Sequence, residues 1–281
     1  MATTLPASAD PRLMPRPHLY PGLKPWSLKH GLFYGPFATR RKGMSLGINL
    51  LPSDDKVCSF NCVYCQCGWT PGPPPDRERL RAACPDLATV RAAFDEHFAR
   101  LAAEGPRPDS IVFSGNGEPT LYPEFPAAMD ALLSARDRWL PGVPITLLTA
   151  GTELHDPAIR AAAVSCENPT VKLDAGDART ARAIDIPLVK HYSVDRLLSW
   201  LALMPPVVIQ ACFVRGVVDN TGDAAVAAWL AALARVRPRH VEVYSLDRVP
   251  PAKGLVQVPL PWLSALAARV RADIGCSAEA Y

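Results

Sequence analysis

The chain has 281 residues, 49% of them hydrophobic and 20% charged, with a formal net charge of +3. That length and apolar share can bury one large α/β core, and they exclude a disordered or low-complexity chain. The small net charge neither requires nor excludes a nucleic-acid partner, because phosphate binding needs a clustered basic face that a total does not reveal.

Thirty prolines exceed the usual ~5% share. Six of them, Pro6, Pro11, Pro15, Pro17, Pro21 and Pro25, make residues 1–33 read as an extended arm ahead of one domain over 34–281. The start shows no charged-then-apolar leader, which predicts a cytoplasmic chain with reduced thiols. No apolar run reaches the ~18 residues of a membrane span; 205–214 is strand-sized. Strand candidates follow at 44–51, 109–114, 143–149, 170–174, 207–214 and 240–246, short β-branched runs bounded by Gly, Pro or polar residues. Helix candidates alternate with them at 87–103, 124–139, 156–163, 194–203, 223–236 and 260–274. Leu87, Val90, Phe94, Phe98 and Leu101, for example, recur at the three-to-four spacing of one apolar stripe. Six β/α units imply a parallel sheet with right-handed crossovers, either doubly wound or a closed or partial barrel, with its site at the carboxyl ends of the strands.

Directly after the first strand stands Cys58-Ser-Phe-Asn-Cys62-Val-Tyr-Cys65, followed by a stiff run at Pro71 to Pro75. Positions i, i+4 and i+7 also share a helix face, where free cysteines pack as small hydrophobes. Three soft ligands so close suit a metal better. A tetrahedral zinc ion or a four-iron cluster wants four ligands, so three thiolates leave one position open. With zinc, the same trio would make a hydrolase or a binding module. The second informative stretch is Phe113-Ser-Gly-Asn-Gly-Glu-Pro-Thr120 between a strand and a helix, whose glycines allow close backbone approach to a ligand. It is not G-x-G-x-x-G, and no G-x-x-x-x-G-K-[ST] occurs, so no nucleotide fingerprint is present.

Together the two stretches resemble the radical SAM superfamily, whose signature is C-x-x-x-C-x-x-C after the first strand, with an aromatic, here Tyr64, before the third cysteine. A G-G-E-P-like element follows the second strand, here with Asn116 in place of its second glycine. Arg41-Lys-Gly-Met-Ser-Leu-Gly47, Val171-Lys-Leu-Asp-Ala175 and Val243-Tyr-Ser-Leu-Asp-Arg248 are similar to the branch of iron–sulfur oxidoreductases related to the wyosine tRNA-modifying enzymes. The resemblance covers about residues 34–275.

It implies a single-domain, partial (β/α)6 TIM-like barrel. Cys58, Cys62 and Cys65 would hold three irons of a [4Fe–4S] cluster, with the fourth chelated by S-adenosylmethionine. Gly115, Asn116, Gly117 and Glu118 would fix the methionine ammonium. Tyr64 would lie near the adenine and Asp174 at the ribose, although a core anchor and a helix cap are equally open readings for these two. The implied activity is reductive cleavage of S-adenosylmethionine to a 5′-deoxyadenosyl radical that abstracts hydrogen from an unidentified small molecule, RNA or peptide. An electron donor such as flavodoxin or ferredoxin is also implied. A wyosine-type tRNA modifier is one alternative, and a cluster protein without turnover is another.

Lys172, Gln210, Cys212 and Arg215 fall on or near strand ends, with the inward face undecided. Arg40, Arg41 and Lys42 could meet an anionic substrate near the barrel mouth, but three adjacent charges read first as a solvated turn, and Asp247-Arg248 as either rim residues or a surface ion pair. The other cysteines, Cys67, Cys84, Cys166, Cys212 and Cys276, are too scattered for a second cluster.

Overall fold

The computed structural model describes residues 23–24 and 27–281, so most of the proline-rich arm lies outside the described residues. The main sheet has eight strands: β1 (Phe33–Thr39), β2 (Gly43–Ile48), β3 (Ser110–Phe113), β4 (Ile145–Thr149), β5 (Asn168–Lys172), β6 (Val208–Cys212), β8 (His240–Tyr244) and β10 (Ser277–Ala280), hydrogen-bonded in that order. β1 pairs antiparallel with β2, and every later pair is parallel. β7 (Val214–Gly216) and β9 (Leu255–Gln257) form a separate antiparallel ribbon.

The helices are α1 (Arg77–Ala83), α2 (Leu87–Glu104), α3 (Phe125–Trp139), α4 (Pro157–Val164), α5 (Ala178–Ile184), α6 (Val194–Leu201), α7 (Asp223–Val236) and α8 (Leu260–Ile274). Their starts are chemically marked. Asp86, Asp156, Asp177 and Ser193 each accept a hydrogen bond from an amide of the first turn of α2, α4, α5 and α6. The six expected β/α units are present as a single-domain partial barrel, and β10 adds a seventh parallel strand beyond them.

Register explains why the site lies inside. Leu46, Ile48, Ile111, Phe113, Ile145, Leu147, Val171, Ile209, Val241 and Val243 share one face of the sheet and are buried beneath the helices, with Phe94, Phe98, Met129, Leu132 and Trp229 in the same core. The alternate positions form the other face: Ser45, Ser110, Thr146, Thr170, Lys172, Gln210, Cys212, Glu242 and Tyr244. Strand alternation thus builds an apolar outside and a polar lumen. The curl of the sheet shows in a contact from the β1–β2 turn to β8, where Lys42 Nζ lies 2.5 Å from Glu242 Oε1.

That contact corrects the reading of residues 40–42 as a solvated turn. Only Arg40 stays at the surface, paired with the equally exposed Asp247 at 3.1 Å. Arg41 and Lys42 converge on the buried Glu242, which Gln210 Nε2 also reaches at 2.8 Å. The sequence could not show this, because the partners are 200 residues apart.

Candidate active site

The cysteine loop is fixed from both sides. On one, Val57 N donates to Asn116 O at 2.9 Å and Glu118 N donates to Val57 O at 3.0 Å, joining the loop to the glycine turn after β3. Asn61 N and Val63 N donate to Asp185 O and Ile184 O at the end of α5 on the other. Gly117 is needed for the first junction: its φ is +146° and a Cβ there would come within 1.6 Å of Val57 O. Gly115, at φ +130°, would likewise strike Asn49.

Within this frame the thiols of Cys58, Cys62 and Cys65 meet a cation that sequence reasoning missed. Lys56 is 5% exposed, and its ammonium donates to Gly68 O at 2.8 Å. Burial opposes its charge, but the thiols of Cys65, Cys58 and Cys62 hold it protonated, above the ordinary lysine value. Burial pushes Cys58 up to about 12 and Cys62 well above the usual thiol range. Cys65 is pulled well below that range, first by the Cys67 thiol hydrogen-bonded to it and then by Lys56, against its burial. Cys67 also lies against the glycine turn, with Sγ 3.2 Å from Gly115 O.

Three thiols from one loop beside a buried ammonium fit an anionic thiolate-ligated cluster, which requires deprotonated sulfur and a compensating cation. The same surroundings do not fit a zinc hydrolase. Neither nearby acid is free to act as its general base: Asp185, 3.6 Å from Cys62 Sγ, shares a hydrogen bond with Asp174, and the other is Glu118, the acid nearest Cys58 in charge effect. Glu118 is 2% exposed, and its carboxylate already accepts from Thr120 N (3.0 Å), Thr120 Oγ1 (2.5 Å), Thr149 Oγ1 (2.7 Å) and Ala150 N (2.6 Å). Burial raises the Glu118 pKa, and these four donors offset part of the rise.

The remaining expected residues divide. The Asn116 side chain is saturated by Lys29 N and O and by Pro52 O, tying Lys29 and Pro52 to the turn. Tyr64 bridges the cysteine loop to the lumen, its hydroxyl donating to Asp174. Asp174 also receives Cys212 N at 2.6 Å and Lys172 Nζ at 3.0 Å. It is not a helix cap, since Asp177 caps α5. Lys172 continues the polar chain to Tyr244 OH at 2.9 Å, and the Arg41 guanidinium lies 4.5 Å over the Tyr244 ring. Burial works against the Lys172 charge, yet Asp174 and then Tyr244 keep it protonated. Asp185 was also missed; it sits 3.6 Å from Cys62 Sγ, and burial followed by Asp174 raises its carboxyl well above the usual range. Arg215 lies on the outer ribbon, bonded to Thr221.

The sequence profile of the Radical SAM superfamily matches residues 56–220, which holds the three cysteines, the glycine turn and Asp174. The chain belongs to the radical SAM superfamily. That superfamily's cofactors are a [4Fe–4S] cluster and S-adenosylmethionine, and the donor set above fits them. The chain is 26% identical over 221 residues to a UPF0026 protein of Helicobacter pylori, covering 77% of this chain and 67% of that one. Across the curated relatives it matches, the chain spans between 23% and 67% of their length.

Two solved structures share the fold. SuiB of Streptococcus suis, bound to S-adenosylmethionine, superposes with a TM-score of 0.55 at 14% identity, covering 81% of this chain and 48% of that one. TYW1 with a lysine–pyruvate adduct gives a TM-score of 0.51 at 17% identity, covering 81% and 73%. No helix among the described residues is long and apolar enough to cross a membrane.

Proposed function

We propose that Cys58, Cys62 and Cys65 hold the cluster, that S-adenosylmethionine lies across Gly115–Glu118, and that the pair acts on a polar substrate held at the lumen. The observation that carries this reading is the two-bond junction between Val57 and the glycine turn, which presses the turn against the cysteine loop. When bound, the cluster and its ligand supply one-electron cleavage of a sulfonium and a carbon-centred radical that abstracts hydrogen. The chain's own residues do the rest. Lys56 offsets the negative charge of the thiolates, and the glycine turn offers backbone groups to an amino acid. Tyr64 and Asp174 present a hydroxyl and a carboxylate where an adenosyl group needs hydrogen-bond partners.

The lumen is polar and charged. Arg41 and Lys42 meet Glu242, and Lys172 meets Asp174 with the buried Asp185 beside that pair, so the charges of the lumen are largely matched. Ser110 Oγ and Thr146 Oγ1, both buried on the lumen face near the amino ends of β3 and β4, have no hydrogen-bond partner among the described residues. A separate open pocket of about 420 Å³ lies at the amino ends of β5, β6, β8 and β10, the end of the barrel away from the cysteine loop, and is lined by Arg41, Lys42 and Arg239 together with Glu242 and Glu279. Lys172 is locked to Asp174 and Tyr244 as an ammonium, so it serves as a fixed charge and not as an amine nucleophile. The electron would come from a small redox protein such as flavodoxin or ferredoxin.

Anaerobic reconstitution tests the ligand assignment. Cys58→Ala, Cys62→Ala and Cys65→Ala should each lose the cluster chromophore, while Cys67→Ala should keep about four irons per chain. Cluster loss in Cys67→Ala, or retention in any of the other three, would overturn it. Unchanged tRNA nucleosides in cells lacking the gene would separate this reading from a wyosine-type tRNA modifier.

A further inference from the structure

The rim of the barrel carries a second group of metal-binding side chains, outside the cysteine loop. Glu153 and His155 lie in the turn after β4, and His191 lies in the turn before α6. One donor atom from each falls within 4.8 Å of the others. The spacing is tighter than that outer limit. His191 Nε2 is 3.5 Å from Glu153 Oε1, and both His155 Nδ1 and His191 Nε2 lie 3.1 Å from the carbonyl oxygen of Thr152.

Those edges have a meaning. With metal–nitrogen and metal–oxygen bonds of about 2.0–2.2 Å, adjacent donors sit about 3.4 Å apart around a tetrahedral ion and about 3.0 Å apart around an octahedral one. Three edges of a four-donor polyhedron, two imidazole nitrogens, a carboxylate oxygen and a backbone carbonyl oxygen, are therefore already at bonding separation. The Thr152 carbonyl, with two lone pairs, stands between the two imidazole nitrogens, so one cation there could bind all three groups.

The supports are equally local. Arg160 Nη1 donates to Leu154 O at 2.6 Å and His155 O at 3.1 Å, and Arg196 Nη1 donates to His191 O at 2.9 Å. The backbones from which both imidazoles project are thereby fixed, as ligand backbones in metal sites usually are. We infer that Glu153, His155, His191 and the Thr152 carbonyl form a site for one divalent first-row transition ion of the zinc class, which mixed nitrogen and oxygen donors favour over magnesium or calcium.

The site would have a structural use. Thr152 Oγ1 bonds Ser59 Oγ at 2.8 Å, Leu188 N donates to Ser59 O at 2.8 Å, and Phe60 bridges to Pro187. The two turns that supply the donors therefore both grip the cysteine loop between Cys58 and Cys62. An ion joining them would brace that loop from outside.

The test uses the cluster-loaded protein, so that the thiols are occupied, and titrates it anaerobically with zinc chloride. Calorimetry and metal analysis after desalting are expected to give one zinc per chain with iron content unchanged, and a raised unfolding midpoint. The double variant His155→Ala/His191→Ala should keep its iron and its fold, bind no zinc at this site and lose the midpoint shift. Glu153→Gln should weaken zinc binding at least about tenfold by removing a charged ligand. Equal zinc uptake by wild type and double variant, or no uptake by wild type, would overturn the assignment.

Discussion

Removing Glu118 should cost the fold before it costs the chemistry. Its carboxylate accepts from Thr120 N and Ala150 N, and it also receives the hydroxyls of Thr120 and Thr149. In Glu118→Ala the two hydroxyls can rotate, but the two buried amides lose their acceptor. At about 1–3 kcal/mol per unsatisfied buried donor, the loss is about 4 kcal/mol. Glu118→Gln keeps one carbonyl oxygen for the three donors on Oε1 but turns an amide donor toward Ala150 N. That costs about 2 kcal/mol, the scale of one hydrogen bond to a charged group. The assay is urea unfolding of the anaerobic apo-protein followed by far-ultraviolet circular dichroism. Both variants falling within about 0.5 kcal/mol of wild type would refute the argument that this carboxylate joins β3 to β4.

Other consequences are as direct. Gly117→Ala should abolish cluster uptake and lower the thermal midpoint, because the new Cβ would lie 1.6 Å from Val57 O at a φ unsuited to alanine; wild-type iron content would show that the junction yields. Asp86 is held below the ordinary 3.8 chiefly by the Thr89 amide, and Asp177 by donors from Thr180 and Arg179 that outweigh its burial. Their stabilising effect is complete above that pH and lost as pH falls through the depressed values, so Asp86→Ala/Asp177→Ala should show a flatter midpoint-versus-pH curve below pH about 4; parallel curves would contradict it. Lys42→Met should leave Glu242 with a weaker cation and destabilise the fold by about 1–3 kcal/mol in urea; no change would mean the pair is solvent-screened.

Much of the fold was legible because its signals are local. α7 and α8 begin and end where the periodicity places them, at Asp223–Val236 and Leu260–Ile274, and the Asp and Ser caps mark other starts. The missed elements lack such signals. α1 and α5 have seven residues each, β10 reads Ser-Ala-Glu-Ala without a β-branched residue, and β1 is interrupted by Gly35-Pro36. The cysteine trio and glycine turn were readable as motifs. Lys56, Asp185, the Arg41–Lys42–Glu242 group and the His155–His191 pair were not, because their meaning lies in contacts between distant segments.

The measurement that tests the central claim most directly is release of 5′-deoxyadenosine from S-adenosylmethionine by the anaerobically reconstituted protein, with dithionite or reduced flavodoxin as donor. The account predicts a brown protein with about four irons per chain that cleaves S-adenosylmethionine only when reduced, and not at all after Cys62→Ala. A colourless protein holding one zinc at the three cysteines, or an intact cluster that leaves S-adenosylmethionine uncleaved, would contradict it.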